Sequence, residues 1–142
     1  MPALNPYLNF DGTTEAAFTF YKEVFGGEFS FFSRMGETPD GANLPADEQQ
    51  RIMHVALPIG PNHVLMGSDT LPSAGHVLQP GNNNYVMLSP DSEADTQRLY
   101  DLLSAGGVIE APLEKTFWNA WFASFRDQFG TAWMINYDIP QA

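Results

Sequence analysis

Hydrophobic and polar positions along the chain spell out one strand–helix–strands order twice. Tyr7 to Phe10 reads as a short strand, after which Ala17, Phe20, Tyr21 and Val24 recur at helical spacing and give one apolar face. This helix is expected to begin near Thr13 or Thr14, with Glu15 in its first turn where a negative charge suits the dipole. Gly26-Gly27 supplies a left-handed stop. The order then repeats. Tyr85 to Ser89 reads as a strand, and Pro90-Asp91-Ser92 opens a second helix in which Asp95 follows Ser92 in a capping-box-like arrangement. Leu99, Leu102 and Leu103 form its stripe, and Gly106-Gly107 ends it.

Most of the remainder is strand-like. The first half offers Glu28 to Met35, Arg51 to Ile59 and Val64 to Ser68, the last following a Gly-Pro-Asn turn. The second half offers Val108 to Ala111, Trp118 to Phe125 and Thr131 to Tyr137, with Arg126 to Gly130 as a hairpin turn. The stretches His54 to Met66 and Phe122 to Met134 align without a gap. An internal repeat of this kind predicts a fold before any motif is read. The expected fold class is α+β: two βαβββ modules, residues 1–69 and 85–142, joined by a linker over 70–84 within a single domain spanning 1–142. Their strands are expected to form a curved, cup-like antiparallel or mixed sheet with the helices outside and a ligand in the seam between the copies. Gly36 to Gln50 is polar, rich in Gly and Pro, and has no counterpart in the second half, so it reads as a mobile insertion able to cover a site.

Composition narrows the partners. The net charge is −11, and the six basic residues are scattered singly. Nucleic acid and anionic membrane surfaces both need clustered Lys and Arg, so neither is an expected partner. Cysteine is absent, which removes disulfides, thiolate zinc sites and a thiol nucleophile. The first residues lack the basic and apolar regions of a signal peptide, and no stretch is apolar enough to span a bilayer. A cytoplasmic protein is the resulting expectation.

Several segments carry a family resemblance. They are Pro6 to Gly12, the helix with Phe20-Tyr21 ahead of Phe25-Gly26-Gly27, Leu65 to Asp69, Thr116-Phe117-Trp118, and Asp127 to Asn136. Together they make the chain resemble the vicinal-oxygen-chelate superfamily of glyoxalases, bleomycin-resistance proteins and extradiol dioxygenases, and within it the PhnB-like branch. The resemblance covers nearly the whole chain. Members of this branch have carried a ubiquinone-methyltransferase label, but no Gly-rich loop after a strand with an acidic residue downstream is present to hold a nucleotide-like cofactor. No cofactor is expected.

The resemblance also implies four places for metal ligands on the cavity face. Landmark alignment puts them at about Pro6 or Tyr7, Met66, Tyr85 and Met134. A thioether is soft, and a phenol rarely binds such metals without carboxylate and imidazole company, so no metal site is expected. His63 and His76 fall in a turn and in the linker. His54 is different. In Arg51 to Ile59, Val55, Leu57 and Ile59 form one alternating set and His54, Ala56 and Pro58 the other. If the first set packs under the helix, His54 faces the cup across the hairpin from Ser68, either as a hydrogen-bonded pocket residue or as a general base.

The equivalent reading of the second hairpin sends Trp133, Ile135 and Tyr137 toward the helix and leaves Met134 and Asn136 with Phe122 and Ser124 toward the cavity. Asn9 and Tyr85 join from the first strands of the modules, and Trp118 belongs to an aromatic cluster with Phe117, Trp121 and Phe122. Two readings of Met66, Tyr85 and Met134 stay open: pocket wall or packed core. The candidate ligand-binding set is therefore Asn9, Met66, Ser68, Tyr85, Trp118, Phe122, Ser124, Met134 and Asn136, with His54 as the candidate catalytic residue. The expected function is binding of an unknown small, partly hydrophobic molecule without metal. The competing one is a lyase, isomerase or dioxygenase using His54 as base or an unrecognised metal site. Apolar strand edges add the expectation of a homodimer.

Overall fold

The computed structural model describes residues 2–141 and divides into two compact units, Met1–Pro80 and Gly81–Ala142. The first unit runs β1 (Tyr7–Phe10), α1 (Thr14–Phe25), β2 (Phe31–Arg34), α2 (Ala46–Gln49), β3 (Ile52–Ile59) and β4 (His63–Asp69). The second runs β5 (Val86–Leu88), α3 (Glu93–Ser104), β6 (Val108–Lys115), β7 (Ala120–Arg126) and β8 (Ala132–Asp138). Each unit is a βαβββ module of the α+β class with its own four-stranded mixed sheet. The strand orders, β1-β4-β3-β2 and β5-β8-β7-β6, are the same order twice. In each, the first strand pairs parallel to the last and the others pair antiparallel. Neither sheet closes into a barrel.

Helix α1 buries Thr14, Ala17, Phe18, Tyr21 and Val24, a stripe at the helical period. Phe18 is fully buried whereas Phe20, the expected core residue, is only half-buried. The stripe that starts from buried Thr14 reaches position 18 one turn later, which rotates Phe20 to the margin. Phe18 packs on β4, where a Cβ added to Gly67 would lie 2.6 Å from its ring. Helix α3 buries Thr96, Leu99 and Leu103, and Leu102 stays exposed for the same angular reason. Its N-terminus is capped as the spacing predicts, with Ser92 Oγ accepting from Asp95 N at 3.0 Å.

Two buried carboxylates lock the modules locally. Asp69 closes β4 and accepts from Gly12 N, Thr14 N and Thr14 Oγ1 through Oδ1, and from Ile52 N through Oδ2, at 2.7–3.1 Å. One side chain thus holds the start of α1, the start of β3 and the end of β4 together. Asp127 plays the corresponding part in the β7–β8 turn, accepting from Phe129 N and Thr131 N and from the Trp133 indole.

The segment from Gly36 to Gln50 is not an irregular loop. It folds into two 3-10 turns, Met35–Glu37 and Gly41–Asn43, followed by α2. Gly41 and Glu48 are buried within it, and Glu48 Oε1 accepts from Ser73 N at 2.9 Å. Pro and Gly in this stretch mark tight helical turns, which composition alone does not separate from loop.

Candidate functional site

Alternation along β3 holds for Val55 and Leu57 against His54 and Pro58, but Ala56, of the His54 set, is buried as well and Ile59, of the other set, is only half-buried. Val55 and Leu57 are fully buried beneath α1, while His54 stays half-buried on the opposite face. Residues paired across strands share a face, so the register assembles the rest. Tyr7, Met66, Ala56 and Phe31 form one cross-strand row. Asn9 pairs with Ser68 and Ser33 with His54 in the neighbouring row. The helix-free face of the first sheet therefore brings together four of the candidates, Asn9, His54, Met66 and Ser68.

Their contacts are specific. Asn9 Nδ2 donates to Ser68 Oγ at 3.1 Å. The Tyr7 hydroxyl lies 3.0 Å from His54 Nδ1, and the two rings lie near parallel with centroids 5.5 Å apart. Phe31 flanks the imidazole from the other side at 5.4 Å. Tyr7 and Phe31 are 46% and 48% exposed, so this aromatic row is open to solvent. Ser33 Oγ, across from His54, is buried without a hydrogen-bond partner. Tyr7, Phe31 and Ser33 were not in the candidate set. Their parity along β1 and β2 placed them on the right face, but their contact with His54 depends on strand register.

The second sheet presents the other candidates on its own helix-free face. Met134 pairs with Ser124 and with Met87, and Phe122 pairs with Asn136. Thus Met87 stands opposite Met134 as Tyr7 stands opposite Met66, and Tyr85 precedes the strand by one residue. Tyr85 donates to Glu110 Oε1 at 2.7 Å, and the accepting carboxylate holds the phenol above its ordinary value. Glu110 also lies 3.8 Å from Arg126. Trp118 is in the turn between β6 and β7 rather than in a strand, because Asn119 takes a positive φ of 63° there. It packs edge-on against Phe122 and reaches Asn136 Oδ1 at 3.4 Å, whereas Trp121 pairs with Tyr137 on the opposite face.

A polar cavity of about 390 Å³ lies elsewhere in the first unit, lined by Glu15, Arg34, Arg51 and Asp69 among others. Its two arginines are held internally. Arg34 grips Glu15 through two bonds of 2.9 and 2.7 Å, and Arg51 binds Asp11 at 2.7 Å. These guanidinium hydrogen bonds hold the Glu15 and Asp11 carboxyls below their ordinary values.

Metal ligation finds little support in the donor set. On the first sheet the first- and last-strand pair offers a phenol and a thioether, from Tyr7 and Met66, and on the second sheet two thioethers, from Met87 and Met134. Among the described residues no three His, Asp or Glu side chains gather closely enough to hold an ion. Such donors do not fit the divalent ion typical of this fold, which asks for imidazole and carboxylate.

Known proteins sharing this architecture point one way. Protein YjdN of Escherichia coli strain K12 is 33% identical over 141 residues, covering 94% of this chain and 93% of its own. The crystal structure of protein PA1353 from Pseudomonas aeruginosa superposes with a TM-score of 0.85 at 36% identity, covering 97% and 98% of the two chains. The PhnB protein from Bacillus cereus shares the fold at a TM-score of 0.77 and 19% identity, over 96% and 99%. The family model for the Glyoxalase/Bleomycin resistance protein/Dioxygenase superfamily matches residues 3–135, and the chain belongs to that superfamily.

Proposed function

We propose that this chain binds a small, partly hydrophobic molecule, without a metal ion, on the helix-free faces of its sheets. One observation carries the reading. The face of the first sheet groups Tyr7, Phe31 and Met66 with the polar atoms of Asn9, His54 and Ser68, and its rows contain no ionised carboxylate, Lys or Arg. An apolar surface with a few convergent polar groups is the composition of small-molecule sites. Thermal unfolding against a broad panel of small molecules tests it. At least one compound should raise the melting temperature in proportion to the logarithm of its concentration, and a panel with no active member would remove the proposal.

A second reading, a lyase-, isomerase- or dioxygenase-type enzyme with His54 as base, draws on the half-buried imidazole of His54 on the same face as Asn9 and Ser68. Turnover abolished in His54→Ala, or stoichiometric metal in the purified protein, would favour it. The binding proposal extends to a cytoplasmic homodimer. Strands β2 and β6 lie at the outer edges of their sheets, and Phe31, Phe32, Val108 and Ile109 on them are exposed. No helix among the described residues is long and apolar enough to cross a membrane. A monomer mass in sedimentation at micromolar concentration would remove the dimer.

A further inference from the structure

The hydrogen bond between Tyr7 and His54 decides what the imidazole can offer a ligand. A phenol is a good donor and a poor acceptor, because its oxygen lone pair is shared with the ring. The pyridine-type nitrogen of imidazole is the better acceptor of the two. At 3.0 Å the favoured arrangement therefore has the Tyr7 hydroxyl donating to His54 Nδ1. A neutral imidazole carries one N–H, which then resides on Nε2.

That N–H is available. Nε2 has no hydrogen-bond partner among the described residues, and it is not among their buried unsatisfied atoms, which are Ser33 Oγ and Glu48 Oε2 alone. Ser33, directly across from His54, adds a second uncommitted polar group beside it. The Tyr7 ring lies near parallel to the imidazole at 5.5 Å and the Phe31 ring is tilted by 48° at 5.4 Å, so exposed aromatic surface borders it. The chain as a whole carries −11, which repels anions at long range.

We propose that Tyr7 holds His54 as the Nε2–H tautomer, and that this face accordingly recognises an uncharged acceptor oxygen, a carbonyl, on a planar apolar molecule. The recognition rests on the binding reading above; the tautomer does not. A consequence separates the two functional readings. With Nδ1 taken by Tyr7 and the proton on Nε2, His54 has no lone pair with which to accept a substrate proton, so it acts as a donor and not as a general base.

Nitrogen-15 NMR of the whole chain tests the tautomer at a pH where histidine is neutral, with the His54 signals identified by their loss in His54→Gln. Nε2 should show the shift of a protonated nitrogen and Nδ1 that of a bare one, and Tyr7→Phe should move both toward a mixture. A protonated Nδ1 in the unsubstituted chain overturns the proposal. Recognition is tested with acetophenone, ethylbenzene, benzoate and benzylamine as probes, followed at the same signals. Acetophenone should bind at least ~10-fold more tightly than ethylbenzene, the worth of about one hydrogen bond to a site built for it, and Tyr7→Phe should narrow the gap. Equal binding of the two, or preference for benzylamine, overturns the acceptor recognition while leaving the binding reading standing. If none of the probes perturbs the face, the acceptor recognition falls, the binding reading is decided by the broad thermal panel, and the tautomer is still decided by its own signals.

Discussion

Replacing Asp69 by Asn should destabilise the chain by about 3 kcal/mol, although the two side chains are nearly the same size. The carboxylate is 4% exposed and accepts from four donors. An amide can place its single oxygen where Oδ1 stands, keeping Gly12 N, Thr14 N and Thr14 Oγ1 as donors. Its NH₂ group then meets Ile52 N–H, donor against donor, where Oδ2 had accepted at 2.8 Å. One buried N–H is left unsatisfied at about 1–3 kcal/mol. The three surviving bonds lose their charge assistance, about 0.5 kcal/mol apiece, and relief from burying an ion returns part of the total. Asp69→Ala orphans all four donors and should cost about 4–5 kcal/mol. Equilibrium urea unfolding followed by tryptophan fluorescence and by far-ultraviolet dichroism measures both, and coincident transitions would license the comparison. If Asp69→Asn lies within about 0.5 kcal/mol of the unsubstituted chain, or Asp69→Ala is no worse than Asp69→Asn, Asp69 is not the fastener described.

Three other substitutions probe different parts of the structure. Gly67→Ala should cost about 1–3 kcal/mol in the same assay, because its Cβ would meet the buried Phe18 ring at 2.6 Å and the Leu8 carbonyl at 3.0 Å; an unchanged urea midpoint would show that α1 yields freely. Ser92→Ala should lose about 1 kcal/mol by uncapping α3, and Ser92→Asp should recover most of it, while an Asp variant as weak as Ala would count against the cap. Glu15→Gln should be destabilising by about 0.5 kcal/mol at neutral pH, its carboxylate being half exposed. The carboxyl is held below its ordinary value of 4.5, so its contribution is present above that pH and disappears as pH falls through the lowered value. The gap between Glu15→Gln and the unsubstituted chain should therefore close in acid; a gap independent of pH would rule out the Arg34 pairing as its source.

Local chemistry was legible in the sequence wherever one segment supplies both partners. The Ser92 cap needs only a hydroxyl three residues before an N–H, and the separation of His54 from Val55 and Leu57 needs only the period of a strand. The repeat itself is legible because each module repeats the same burial problem. Helix faces blurred where neighbouring residues competed: Phe18 against Phe20, and Thr96 against Leu102, were decided by a rotation of about half a residue's step about the axis. Trp118 looked like strand because aromatic residues favour strands, but the left-handed Asn119 makes the turn. The Tyr7–His54–Phe31 row was out of reach for another reason. Its members come from three strands, and which residue stands beside which is a matter of register, set by the lengths of the intervening turns and by the bulge between Ser33 and Arg34.

The parallel pairing of β1 with β4 has a consequence for the order of assembly. Hairpin β3–β4 joins neighbours, whereas Asn9 meets Ser68 only across 59 residues of chain. Closing that loop costs entropy which the local hairpin does not face, so the first strand is expected to dock after the hairpin, and pulsed amide exchange should protect β3 and β4 before β1. His54 and Met66 belong to the early hairpin, and Tyr7 arrives with the latecomer. The contact that orients the imidazole therefore depends on a strand pairing that spans most of the first unit's sequence rather than on the hairpin that carries the imidazole.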